Sequence, residues 1–130
     1  MSQESTAAEV LELTRRLLQS IAEGDWQTYS SLCDPSLTAF EAESRGELVE
    51  GLEFHRFYFN LGGAGGPANT TICAPHVRVM GDAAVVCYVR LTQRLDDSGK
   101  PVTGRAEETR VWHCRDGQWR HVHFHRSTSP

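Results

Sequence analysis

The chain has no apolar stretch near the roughly 20 residues that a membrane-spanning helix needs, and no basic run longer than Arg15-Arg16. Seventeen acidic residues against 13 basic ones give a formal net charge of −4. That is the wrong sign for gripping a phosphate backbone, so neither nucleic acid nor a membrane is expected as a partner. The N-terminus, MSQESTAAEV, lacks the charged-then-apolar pattern of a secretory leader, and a cytoplasmic setting is expected. Cys33, Cys73, Cys87 and Cys114 contain no CxxC pair and are read as reduced, mostly buried thiols. No Ser-His-Asp arrangement or nucleophile elbow is legible. The connector LGGAGGPAN (61–69) superficially resembles a phosphate loop, but no Lys-Ser/Thr follows it. Useful carboxylate clusters are not expected either: Glu107 and Glu108 point to opposite faces of a strand, and Asp96-Asp97 fall in a turn.

What remains is an ordinary globular composition, 39% hydrophobic and 23% charged over 130 residues. That length fits one domain, 1–130, with residues 1–6 expected to be flexible. Thr6-Ala7-Ala8-Glu9 matches a capping box, and Val10, Leu13, Leu17 and Ile21 follow at helical spacing up to Gly24. The pattern predicts a long amphipathic helix over about 7–23. Asp25 can cap a second, shorter helix that runs through Cys33 and is ended by Asp34-Pro35. A short strand is expected at 37–40. A third helix over about 52–60 is apolar on two sides and so needs covering on both.

From Thr70 the apolar period changes to two. Strands are predicted at about 70–79, 83–95, 102–115 and 118–127, separated by turn signals at Gly81-Asp82, 97–101 and Asp116-Gly117. Helices first and antiparallel strands after make an α+β pattern, with a strongly curved sheet wrapped around the long helix.

Alternation assigns the strand faces. Ala84, Val86, Tyr88, Arg90 and Thr92 share one side of 83–95, while Ala83, Val85, Cys87, Val89 and Leu91 form a wholly apolar row on the other. One helix layer covers only one face of a sheet, so the apolar row calls for a second subunit. Glu108, Arg110, Trp112 and Cys114 go together on the next strand, and Val122, Phe124 and Arg126 on the last. Arg90, Arg110 and Arg126 are either separate edge residues with wet heads or converge on one cleft. Convergence would require an anion or acidic side chains to offset three guanidiniums, and a carboxylate would fit their paired donors.

His121, His123 and His125 recur every second residue, which places three imidazoles on one strand face and raises a metal site as an alternative. His55, on the third helix, is a candidate base. An isomerase- or cyclase-type enzyme using His55 is therefore a second functional reading.

Five strings carry a family resemblance: GDWQTYSSLCDPSLTAFE (24–41), LVEGLEFHRFYF (48–59), YVRLTQ (88–93), EETRVWHCRDGQW (107–119) and VHFHRS (122–127). In order and spacing they closely resemble the association, or hub, domain of calcium/calmodulin-dependent protein kinase II. The resemblance implies an NTF2-like α+β cone, a long N-terminal helix and two shorter ones packed in a curved antiparallel sheet. It implies a non-catalytic module that assembles as a homo-oligomer in two stacked rings, a dodecamer or tetradecamer, and organises kinase subunits. It further implies a pocket lined by His55, Arg90, Arg110 and Arg126 that takes small carboxylates or acidic peptide segments, the kinase's own regulatory segment among the partners. No cofactor or metal is implied, and the position of His121 is not typically histidine in the family. No glycine-rich kinase loop, HRD or DFG motif is present. The glycine-rich 60–69 connector departs from the polar, aromatic loop that the family usually places near the pocket mouth.

Overall fold

A computed structural model describes residues 2–62 and 66–128. The centre of the glycine-rich connector, 63–65, lies outside the described residues. In chain order the elements are α1 (Gln3–Glu23), α2 (Trp26–Leu32), β1 (Cys33–Phe40), a single 3-10 turn (Ala42–Ser44), β2 (Val49–Glu50), α3 (Glu53–Asn60), β3 (Ala68–Met80), β4 (Ala83–Leu95), β5 (Pro101–Arg115) and β6 (Gln118–Thr128). The six strands form one curved sheet in the order β2-β1-β6-β5-β4-β3. The α+β reading holds, with one correction: β1 runs parallel to β6, so the sheet is mixed rather than wholly antiparallel.

Helix α1 begins one turn before the predicted start. The Ser2 side chain, not that of Thr6, caps it by accepting from the Ser5 amide at 3.1 Å. Thr6 turns its hydroxyl back to the Ser2 carbonyl at 3.2 Å, as a residue already inside the first turn would. At the other end Gly24 adopts φ 67, the left-handed geometry that closes a helix without a Cβ clash. Asp25 caps α2 as predicted, accepting from the amide and hydroxyl of Thr28. The first strand is longer than predicted, since α2 ends at Leu32 rather than running through Cys33, and β1 starts at Cys33 directly after it.

The inner face of the sheet and the buried stripe of α1 meet in one core. Val10, Leu17, Leu37, Ala84, Val86 and Trp112 are fully buried there. Trp112 presents its indole N–H to Thr14 Oγ1 at 3.1 Å, and the same hydroxyl donates to the Val10 carbonyl at 2.9 Å. A polar link thus pins helix to sheet inside an apolar core. Outward from β4, Val85, Cys87, Val89 and Leu91 are only partly buried, and Val85 lies opposite Val111 of β5. The apolar row read from the sequence is left without a full cover by the described residues. No helix among the described residues is long and apolar enough to cross a membrane.

Asp116 and Gly117 close the β5–β6 hairpin with φ of 55 and 76, the pair of left-handed residues that a tight hairpin turn demands. Further along, the register slips: Val111 faces His123 but Trp112 faces His121, which leaves Val122 bulged. The bulge reverses the face parity of the strand. His121 turns inward beside Phe124, while His123 stays on the outer face near Thr38 and Phe40. The three histidines therefore do not share a face, contrary to simple alternation.

The Thr14–Trp112 link is open to test. Thr14→Val keeps the shape but leaves the buried indole N–H without a partner, and should lower stability by about 1–3 kcal/mol, read as a lowered thermal unfolding temperature. Thr6→Val, at the exposed start of the same helix, should change it by well under half as much.

Candidate functional site

The inner face of the sheet beyond the core opens into a cavity of about 320 Å³. Strand alternation delivers Arg90 from β4, Arg110 from β5 and Arg126 from β6 to its wall, and α3 delivers His55. All four residues singled out from the sequence line this one space. Ile21, Phe59 and Phe124 are among its apolar lining.

The expectation that no carboxylates gather here is corrected by the structure. Glu108 is 2% exposed and lies beneath the arginines. Its Oε2 accepts from Arg90 at 2.9 Å, and its Oε1 accepts from Arg110 at 3.0 Å and from the Tyr88 hydroxyl at 2.5 Å. Burial alone would raise its pKa, but the charges of Arg110 and Arg90 and the Tyr88 hydrogen bond outweigh that and bring it to about 2. Burial likewise opposes the charge on Arg110, and Glu108 more than restores it. Tyr88 is pushed up to about 12, burial being the largest cause. Two more acids, Glu41 and Glu43, reach the cavity from the end of β1 and the 3-10 turn.

Arg110 is locked rather than free. Its guanidinium carbon lies 4.4 Å from the centre of the Phe124 ring, its Nε donates to Tyr88 at 2.8 Å, and an Nη atom approaches His121 Nε2 at 3.4 Å. A guanidinium N–H only donates, so Nε2 of His121 must accept and its proton sits on Nδ1, which points at Cys33 Sγ at 3.5 Å. Burial, then the charge of Arg110, keeps His121 neutral by holding its pKa well below the usual value. Burial pushes the Cys33 thiol up to about 12, which makes it an inert packing group rather than a nucleophile.

Unused hydrogen-bonding capacity remains at the cavity wall. His55 is 7% exposed, and among the described residues neither ring nitrogen has a hydrogen-bond partner. Its Nε2 lies 3.5 Å from Glu41 Oε1, near enough for an ion pair but poorly aligned for a hydrogen bond. Arg126 holds the Glu43 carboxylate through Nη2, while its buried Nε has no partner among the described residues. Unpaired buried donors of this kind favour an incoming acceptor. The three-histidine metal reading has no such support. His121 is enclosed by Arg110, Trp112 and Phe124, and among the described residues no group of three His, Cys, Asp or Glu side chains could hold an ion.

Three helices on a curved six-stranded mixed sheet, with a cavity on its inner face, define an NTF2-like domain. An NTF2-like superfamily protein from Salmonella enterica superimposes with a TM-score of 0.79 over 99% of this chain and 94% of that one, at 24% identity, a likeness of fold alone. The chain belongs to the calcium/calmodulin-dependent protein kinase II association domain family, whose profile it matches over residues 6–130. It is 54% identical over 125 residues to the type II delta subunit of this kinase from Oryctolagus cuniculus. That match covers 94% of this chain and 24% of the rabbit protein, so the chain spans about a quarter of the curated relative's length and only its association domain. The hub homology domain of the same kinase from Chlamydomonas reinhardtii is 51% identical, with a TM-score of 0.88 over 96% of this chain and 99% of that one.

Glu108 gives the site a pH signature. Its folded-state pKa lies below the ordinary carboxylate value of 4.5, so its contribution is complete above about pH 5 and is lost as the pH falls towards about 2. Glu108→Gln leaves Arg110 buried beside a neutral group and should cost about 3–5 kcal/mol near neutral pH. Urea unfolding midpoints measured between pH 7 and pH 2 should fall less steeply in the variant than in the unaltered protein.

Proposed function

We propose that this chain is a non-catalytic oligomerisation hub that closes into two stacked rings, a dodecamer or tetradecamer, and organises calcium/calmodulin-dependent kinase subunits in the cytoplasm. One observation carries the reading in this chain itself: the row Val85, Cys87, Val89 and Leu91 stands partly exposed on the outer face of β4. An apolar row of that kind on a sheet face is stabilised by a second subunit. Membership of an association-domain family supports the same reading. The cavity serves as a receptor for small carboxylates or acidic peptide segments, a regulatory segment of an attached kinase among them. Arg90 and Arg126 are its anion-facing groups, Arg110 its fixed positive floor and His55 a polar contact opposite.

The competing reading is a small isomerase- or cyclase-type enzyme using His55. It is favoured by the unpartnered ring nitrogens of His55 beside Glu41. A rate whose pH dependence disappears in His55→Gln would establish it.

Two experiments test the hub. Val89→Asp places a carboxylate on the outer row, opposite Glu107, and should reduce the mass seen by light scattering to a small fraction of the assembly while the fold persists. An unchanged mass would remove the outer face from the interface. For the pocket, Arg90→Ala and Arg126→Ala should each weaken butyrate binding about tenfold or more by calorimetry. Undiminished binding in both would place the carboxylate elsewhere.

A further inference from the structure

The two peripheral arginines of the cavity are neutralised in different ways. Arg90 pairs with Glu108, whose side chain has no exposed surface. Arg126 pairs with Glu43, whose side chain is 38% exposed. Withdrawing Glu108 from its partners would bury an uncompensated charge, whereas Glu43 can turn into water and be solvated there.

The Glu43–Arg126 contact is also incomplete. Both carboxylate oxygens fall on Nη2 alone, and among the described residues the buried Nε has no partner. The favoured engagement of a guanidinium by a carboxylate uses two parallel N–H donors. The second donor of such an edge, Nε, is left over here. Backbone movement is not needed to release Glu43. Its 3-10 turn is held by Ser44, whose hydroxyl accepts from the Glu41 amide at 3.1 Å and donates to the Glu41 carbonyl at 2.8 Å.

The pair stands at a boundary. Glu43, Arg90 and Arg126 line the inner cavity and equally a second space of about 310 Å³ on its far side, bounded by Thr92, Gly104 and Thr128. The Glu43–Arg126 bond is therefore a partition between the two. Deeper in, Ile21, Phe59 and Phe124 offer apolar wall, so the space suits an alkyl chain ending in a carboxylate.

We propose that Glu43 is a built-in stand-in for the carboxylate ligand: it occupies Arg126 in the empty pocket, must be displaced for a small alkyl carboxylate to bind, and so sets the affinity of the site. The proposal rests on the pocket reading above. An entering carboxylate takes Nη2 from Glu43, adds the unused Nε, and joins the inner cavity to the outer one as Glu43 swings away. A neutral amide of the same shape has no charge with which to compete.

The test is calorimetric titration of the assembled protein with butyrate, and with butyramide as the uncharged counterpart. Glu43→Ala should tighten butyrate about fivefold, the effect of deleting one partly exposed ionic competitor, with no gain for butyramide. Glu47→Ala removes the same charge from an exposed neighbour that has no ion pair among the described residues, and should leave butyrate affinity unchanged. Binding by the unaltered protein that is equal or weaker in Glu43→Ala overturns the proposal and leaves the pocket reading standing. Equal tightening in Glu43→Ala and Glu47→Ala also overturns it, because net charge then accounts for the effect. No butyrate binding by any of the three proteins removes the pocket reading itself, and the stand-in with it.

Discussion

The arrangement at Glu108 is the constraint on which the inner face of the sheet depends. Three strands bring three guanidiniums to one side of a curved surface, and two of them, Arg90 and Arg110, bond to the same buried carboxylate. Without that carboxylate their mutual repulsion in a poorly solvated space would oppose folding. With it, Arg110 becomes a fixed element of the wall, braced by Tyr88, His121 and Phe124. The same network makes the floor of the cavity positive but immobile. Arg90, Arg126 and His55 complete the wall of the same cavity.

This division places a charged cavity and an apolar outer row on opposite faces of one small sheet. The inner face is used for the core and the charged network, and α1 covers it. The outer face of β4 then carries the apolar row Val85, Cys87, Val89 and Leu91, which the described residues leave partly exposed. Inner charge and outer apolarity are two consequences of one period-two pattern on the same strands. Changes at the pocket and changes at the outer face should consequently be separable, since no side chain of β4 belongs to both.

Much of this was legible in the sequence because it depends on local periodicity. The long helix and the hairpin strands from β3 to β6 follow from counting apolar positions, whereas alternation left Arg90, Arg110 and Arg126 open between separate edges and one cleft. What was not legible depends on pairings across the chain. The parallel contact of β1 with β6 joins residues as far apart as Cys33 and His121 and leaves no local signal. The bulge at Val122 is one extra residue, yet it moves His121 from the outer to the inner face and dissolves the three-histidine pattern. Glu41 and Glu43 come from the end of a strand and an irregular turn, where no periodicity says which way a side chain points. Glu108 was within reach, because alternation put it on the face of Arg110, and three gathered arginines require acidic company.

The central claim is that the outer sheet face drives closure into a two-ring hub. Native mass spectrometry of the unaltered protein tests it most directly. The account predicts a single species of about 12 or 14 chains, the closed symmetric arrangement of two rings. A species no larger than a dimer at micromolar concentration would contradict it and would turn attention to His55 and catalysis.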